Sequence, residues 1–324
     1  TGYVGPGSVL VTDKMMRRLW RQGGKFGTKV PNIDWYAQRG IEMAGTLYLC
    51  ATPIGNLQDM TPRVIETLRS VNVIAAEDTR NSIRLLNHFD IHTPMTSYHE
   101  YNKVEKAQRL IGRLQEGQNI ALITDAGTPA ISDPGEVLVR MCHENHIPVT
   151  SLPGPAACIT ALTLSGLCTR RFCFEGFLPA DKKERRAVLE ELRTESRTMV
   201  LYEAPHHLTG TLEELYGNLG QRRITLCREL TKKFETIMPT TLREALEYYE
   251  NQEPRGEYVL VGKGKSREEK RQEEIASWEE MSIEEHMAYY ENMGMDRKAA
   301  MKQTAKDRGV GKREIYAYLN GSEE

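Results

Sequence analysis

Three short apolar runs in this chain each end directly in a turn rich in glycine and proline. Thr46–Ala51 runs into Thr52-Pro53-Ile54-Gly55-Asn56-Leu57, Asn119–Thr124 into Asp125-Ala126-Gly127-Thr128-Pro129, and Pro148–Leu152 into Pro153-Gly154-Pro155-Ala156. Runs of this length and apolarity read as buried strands. Two further strands are expected at Asn72–Ala76 and Pro94–Tyr98. Amphipathic stretches between them predict helices at Thr79–Phe89, Val104–Gln115, Pro134–Asn145 and Ala156–Ser165, plus one opened by Thr61-Pro62. There Thr is the N-cap, and Pro occupies a position whose N–H would have no helical partner. Strand–helix alternation implies a mostly parallel sheet covered on both faces. In such a sheet the three turns collect at one edge, where open α/β folds bind ligands.

The alternation continues with expected strands at Phe172–Phe177, Thr198–Tyr202, Ile224–Arg228 and Tyr258–Gly262. The helices between them fall at Lys182–Arg193, His206–Asn218 and Leu242–Glu250. The fold class is therefore α/β, with two α/β domains, 43–166 and 167–264. Residues 265–324 follow as a linker and a helix-turn-helix-like helical module. In that module Ser282 and Glu285 form a capping box, Asp296 caps Arg297–Arg308, and Lys312–Leu319 makes the last helix. Met43-Ala44-Gly45 reads as a natural start, and 1–42 as a leader, tag or disordered arm.

Net charge is −2 and hides a segregation: +4 over residues 1–44, −4 over 45–262 and −2 over 263–324. Within the last block, seven basic residues stand against two acidic ones from Arg297 to Leu319. A near-neutral total thus does not exclude a nucleic-acid partner, and Arg297, Lys298, Lys302, Lys306, Arg308, Lys312 and Arg313 are candidate phosphate contacts. Six cysteines without a C-x-x-C pair argue against a zinc ribbon or a disulfide framework and for a reduced, cytoplasmic setting. No apolar run reaches membrane-spanning length. His143 with His146, and His88 with His92, read as exposed helix ends, so no metal is expected.

Two phosphate-loop look-alikes fail. Gly264-Lys265-Ser266 has Val259 where the first glycine of a Walker A loop must stand, and Gly311-Lys312-Arg313 lacks the Ser or Thr. No G-x-G-x-x-G follows the first strand either. The three turns carry no Lys or Arg, which suits an uncharged or zwitterionic nucleoside better than a triphosphate. The turn Ile131-Ser132-Asp133-Pro134-Gly135 opens a helix whose N–H groups are expected to receive a ligand carboxylate. Phe172, Phe174 and Phe177 alternate along a strand and read as core.

The turns at 52–57, 124–135 and 153–157 resemble those of the tetrapyrrole-methylase family, which binds S-adenosylmethionine between two α/β domains. Four further segments resemble the branch of that family that methylates a cytidine 2′-hydroxyl in the decoding region of 16S rRNA. They are Ala76-Glu77-Asp78-Thr79-Arg80, Phe174-Glu175-Gly176-Phe177-Leu178-Pro179, Leu201-Tyr202-Glu203-Ala204-Pro205-His206 and Cys227–Glu235. The likeness spans roughly residues 45–264, and His207 departs from it where Arg is expected. The resemblance implies S-adenosylmethionine held by Pro53, Ile54, Asp125, Gly127, Ser132, Gly154, Pro155, Ala156 and Tyr202. It also implies a homodimer and a partner in the 16S rRNA of the small ribosomal subunit. A ribose hydroxyl needs deprotonation or polarisation to attack. Glu203 and Glu229 are the expected base or orienting carboxylates. Arg80 and Lys232, with Arg228 and Lys233, are expected to bind flanking phosphates or the developing alkoxide. A small-molecule methyltransferase of the same fold, or a non-enzymatic nucleic-acid-binding regulator built on residues 282–319, are the competing readings.

Overall fold

The protein is described as a computed structural model covering residues 44–321. The expected start at Met43 and the arm before it lie outside the described residues. The first sheet holds β1 (Leu47–Cys50), β2 (Val73–Ala76), β3 (Met95–Ser97), β4 (Ile120–Ile123) and β5 (Val149–Leu152) in the order β3-β2-β4-β1-β5. Every pairing is parallel. The helices are α1 (Pro62–Ser70), α2 (Thr79–His88), α3 (Lys103–Gln115) and α4 (Gly135–Glu144). Thr61 caps α1 as its sequence predicts, its Oγ1 accepting from the Val64 N–H at 3.3 Å.

Strand alternation divides the core. Leu47, Leu49, Val73, Ala75, Ile120 and Leu122 pack with Leu110 and Leu114 of α3 and Leu138 and Cys142 of α4 on one face. Cys50, Ile74, Ala76, Ala121 and Ile123 pack with Val64 and Leu68 of α1 and Leu86 of α2 on the other. The chain leaves β1 toward β2 in one direction and leaves β4 toward β5 in the opposite one, with α1 and α4 on opposite faces. The switch point lies between β1 and β4, the place where such sheets bind ligands beyond their carboxyl ends. A two-way backbone bridge joins the strand ends there: Thr52 N–H donates to the Gly127 carbonyl at 2.9 Å and Gly127 N–H to that of Thr52 at 3.0 Å.

Helix α5 (Ala157–Leu164) carries the chain over to a second sheet of β6 (Phe172–Phe177), β7 (Thr198–Glu203), β8 (Arg223–Arg228), β9 (Thr236–Thr241) and β10 (Tyr258–Gly262). Its order is β6-β7-β10-β8-β9, and β10 runs antiparallel to both neighbours. The sheet is therefore mixed. Cys158, Ala161 and Leu162 of α5 pack on Val200, Cys227, Val259 and Val261 of this sheet, together with Ile54 from the first half. Its other face is covered by α6 (Lys182–Thr194), α7 (Leu208–Leu219) and α8 (Leu242–Tyr249).

The tail forms α9 (Arg267–Glu280), α10 (Ile283–Asn292), α11 (Arg297–Asp307) and α12 (Lys312–Gly321). The Ser282 capping box and the Asp296 cap are present. Met287, Tyr290, Ala300, Ala305 and Ile315 form a small core. Met295, Val310 and Tyr316 of the same module are exposed. The buried His286, stacked on Trp278 at 3.7 Å, fills the centre instead. Arg308 corrects a sequence expectation. It donates from Nε to His286 Nδ1 at 3.1 Å and from Nη2 to the Met281 and Ser282 carbonyls, so it braces the tail rather than facing solvent. The other six expected phosphate contacts are exposed.

Candidate active site

The loops leaving β1, β2, β4 and β5 face the edge of the second sheet across a cleft of about 540 Å³. That volume lies within the range that encloses a nucleoside-sized ligand. From the first half the walls are Ile54, Glu77, Thr124 to Thr128, Ile131 to Asp133, Ala156 and Ala157. From the second half they are Phe177, Tyr202 to Pro205, Cys227, Leu230, Lys232 and Glu257 to Val259. Six of the nine expected cofactor residues meet in this cleft: Ile54, Asp125, Gly127, Ser132, Ala156 and Tyr202. Pro53, Gly154 and Pro155 do not line it. Pro53 is buried, and the Pro155 carbonyl accepts from Thr128 Oγ1 at 2.8 Å. A Cβ on Gly154 would lie 2.6 Å from that of Ala51, so only glycine lets the β5 turn close onto the end of β1.

The turn before α4 is built differently from its sequence expectation. Its N–H groups do not wait for a ligand carboxylate, because Asp133 fills them. Asp133 Oδ1 accepts from Ala130 N–H at 3.0 Å and Gly135 N–H at 2.8 Å, and Oδ2 accepts from Ile131 N–H at 3.0 Å. This clamp holds Ala130 and Ser132 at φ of 67° and 62°, a region costly for residues with a Cβ. The held loop presents Ile131 and Ser132 to the cleft.

Tyr202 ties the two halves together. Its hydroxyl accepts from the Cys158 N–H at 3.2 Å, serving the first turn of α5, whose N-cap Ala156 has no side chain for the task. Its ring meets Phe174 and Phe177 edge-on at 5.0 and 5.6 Å. Burial raises its phenol above the ordinary range, so it stays neutral.

The four expected catalytic residues separate. Only Glu203 and Lys232 line the cleft. Both Glu203 oxygens are engaged, Oε1 by the Ala204 N–H at 2.8 Å and Oε2 by Thr211 Oγ1 at 2.5 Å, and the residue is 5% exposed. Lys232 Nζ donates to Glu229 Oε1 and Glu257 Oε2, each at 2.9 Å. An ammonium has three donors, so one N–H is left for the cleft. Burial opposes ionisation of Glu229, but the Lys232 ammonium, the Glu257 N–H and the charge of Arg228 together outweigh it and hold the carboxyl below its usual range. Glu229 itself does not line the cleft and meets it only through its bond to Lys232. Arg80 is turned to solvent and pairs with Asp78 at 2.8 Å, which drops the Asp78 carboxyl to about 2. Arg228 and Lys233 do not line the cleft.

Glu77, Asp133 and Glu257 are lining carboxylates that no sequence signal singled out as site residues. Glu77 had two available cues: it belongs to the family-like segment Ala76–Arg80, and it is the first residue after β2 in a parallel sheet, at the carboxyl edge. Burial, together with the charges of Asp125 and Asp133, raises its pKa. A carboxylate with a raised pKa costs stability when ionised and costs nothing once protonated. Glu77→Gln should therefore raise the melting temperature at pH 7. The gain should shrink as pH falls through the raised pKa and vanish below the ordinary carboxylate range. Thermal melts of both proteins across pH 4–8 read this directly, and a pH-independent difference would refute it.

Among the described residues, five carboxylates and a single cation thus line the cleft. The family described as Tetrapyrrole (Corrin/Porphyrin) Methylases matches residues 46–246. The chain belongs to that family. Ribosomal RNA small subunit methyltransferase I of Halalkalibacterium halodurans is 48% identical over 281 residues, 87% of this chain and 96% of that protein. The protein of the same name from Synechocystis sp. is 47% identical over 273 residues, 84% of this chain and 96% of its own. Within the tetrapyrrole methylases the chain groups with these proteins, as the motif resemblance led one to expect, and it is a methyltransferase. The crystal structure of diphthine synthase matches with a TM-score of 0.56 at 13% identity, over 68% of this chain and 91% of that one; this shows the shared fold.

Proposed function

We propose that this methylase uses S-adenosylmethionine to methylate the 2′-hydroxyl of a cytidine in the decoding region of 16S rRNA, acting on the small ribosomal subunit in the cytoplasm as a homodimer. The relatives' printed name supports an rRNA substrate. The single observation that carries the donor is the charge of the cleft: five carboxylates against Lys232 alone. Such a wall repels a triphosphate or a polycarboxylate and attracts a cation.

The residues fit the donor. Glu77 and Asp125, fixed by Asn81 Nδ2 at 3.2 Å, would face its cationic centres. The apolar walls of Ile54, Ala156, Ala157 and Val259 would enclose its uncharged parts. When bound, S-adenosylmethionine supplies an activated methyl group on a sulfonium sulfur. The protein then mainly positions the acceptor hydroxyl and stabilises the charge that develops on its oxygen. Lys232 is suited to the second task, with its free N–H toward the cleft. Glu203 is a positioning residue, holding the β7 end and the Ala204-Pro205 turn that line the cleft.

This reading assigns the donor mainly to the first α/β unit, 43–166, with Val259 as a wall from the second, and the acceptor to the second, 167–264. The module at 265–324 would carry phosphate contacts on Arg297, Lys298, Lys302, Lys306, Lys312 and Arg313. The test is incubation with methyl-labelled S-adenosylmethionine and small ribosomal subunits lacking the modification, followed by nuclease mapping. Label on a cytidine ribose is the expected result. Label on a base, or transfer only to a tetrapyrrole, would overturn the proposal.

A further inference from the structure

Phe177 was expected in the core, and it is 58% exposed. The cause lies one residue earlier. In β6 the pairing with β7 slips between Phe174 and Gly176, so Glu175 has no partner in the register. Gly176 sits at φ 63°, where a Cβ would meet Ser132 Oγ at 2.8 Å. This bulge reverses the alternation for the rest of the strand. Phe177 thereby joins the face of Phe174, opposite Tyr202; Phe174 is half-buried against α5, whereas Phe177 lies exposed and lines the cleft. Bulges of this kind commonly re-aim a side chain beside an active site. A large exposed aromatic costs solubility and stability unless something covers it. Here the ring is also held in place, edge-on to Tyr202, whose own hydroxyl is tied to α5.

We infer that Phe177 is the stacking platform for the nucleobase of the target nucleotide, drawn out of the rRNA so that its ribose reaches the cleft. This rests on the proposed rRNA reading and names the residue that would receive the acceptor. An aromatic face accepts any base and suits single-stranded or splayed-out nucleotides. Lys232 lines the same cleft from β8–β9, so one wall offers an apolar face and the other a cation. A nucleotide presents the matching pair, a flat base for the ring and a ribose hydroxyl for the cation. An alkyl chain or a polycarboxylate does not.

The experiment compares Phe177→Ala, Phe177→Leu and Phe177→Trp in the full chain, with small ribosomal subunits as acceptor. Because the ring is exposed, all three should fold with unchanged melting temperature. Loss of one base–aromatic stack should raise the KM for subunits about 10- to 100-fold in the Ala protein. S-adenosylmethionine affinity by calorimetry should stay within about twofold. Trp should restore the KM to near the native value, and Leu, apolar but without a π face, should not. A native KM for the Ala variant overturns the inference, as does rescue by Leu equal to that by Trp. Loss of donor affinity overturns it differently, by making Phe177 part of the donor site. If the unmodified protein itself transfers no methyl group to subunits, the rRNA reading fails first and takes the inference with it.

Discussion

Replacing Lys232 with Met should slow methyl transfer about 10²- to 10³-fold, the cost of removing one preorganised donor from a developing oxyanion. Donor affinity should change little, because Lys232 stands in the β8–β9 loop of the second half and the acidic wall that would hold the donor belongs mainly to the first. Single-turnover rates at saturating substrate separate the two quantities. Lys232→Arg keeps the charge but spreads it over a larger planar group, so partial activity is expected. The substitution also has a structural signature. Lys232 lies between Glu229 and Glu257, at 2.9 Å from each. Without it, two carboxylates face each other and Glu229 loses a partner that lowers its pKa. A carboxyl with a lowered folded pKa adds stability above its unfolded pKa, and that stability is lost as pH falls through the folded value. The Met variant should therefore be less stable than the native protein at pH 7, with the gap closing in acid. A variant with native rates would remove Lys232 from the chemistry and leave it as a brace for the β8–β9 loop.

Much of this arrangement was legible in the residues. The switch point of the first sheet follows from three apolar runs that each end in a Gly/Pro turn, because parallel strands put those turns on one edge. Four features were not legible, each for a physical reason. Strand β9 carries Pro239, which disfavours a strand reading. It is tolerated because β9 is an edge strand paired only to β8, where a missing N–H costs no ladder bond on the open side. The exposure of Phe177 depends on a one-residue slip in pairing, which alternation along a single strand cannot reveal. Arg308 belongs to a basic run, but its guanidinium finds the carbonyls left at the junction of α9 and α10. Asp133 looked like an ordinary turn residue. Only the fold shows that its carboxylate replaces the ligand its N–H groups were expected to bind.

The largest loss of donor binding is expected at Asp133. Asp133→Ala removes one carboxylate and strands the N–H groups of Ala130, Ile131 and Gly135. Hydrogen bonds to a charged acceptor contribute about 1.5–3 kcal/mol each. The loop is partly exposed, so water recovers some of this, and a net loss of about 2–4 kcal/mol is expected. For a unit of this size that lowers the melting temperature by roughly 5–15 °C. The effect on binding follows from the strain the clamp holds. Ala130 and Ser132 occupy the left-handed region only while Asp133 fixes both ends of the turn. Released, they relax to ordinary backbone, and Ile131 and Ser132 leave the cleft wall. S-adenosylmethionine affinity, measured by calorimetry well below the melting temperature, should fall at least about tenfold, one 1.4 kcal/mol step. Asp133→Asn distinguishes a geometric role from a purely electrostatic one. Its remaining oxygen can take the place of Oδ1, accepting from Ala130 and Gly135, while its amide opposes the Ile131 N–H. If the clamp acts by geometry, Asn keeps two of three bonds and its donor affinity should lie between native and Ala. If the carboxylate instead acts only by its negative charge on a cationic donor, Asn and Ala should lose affinity equally.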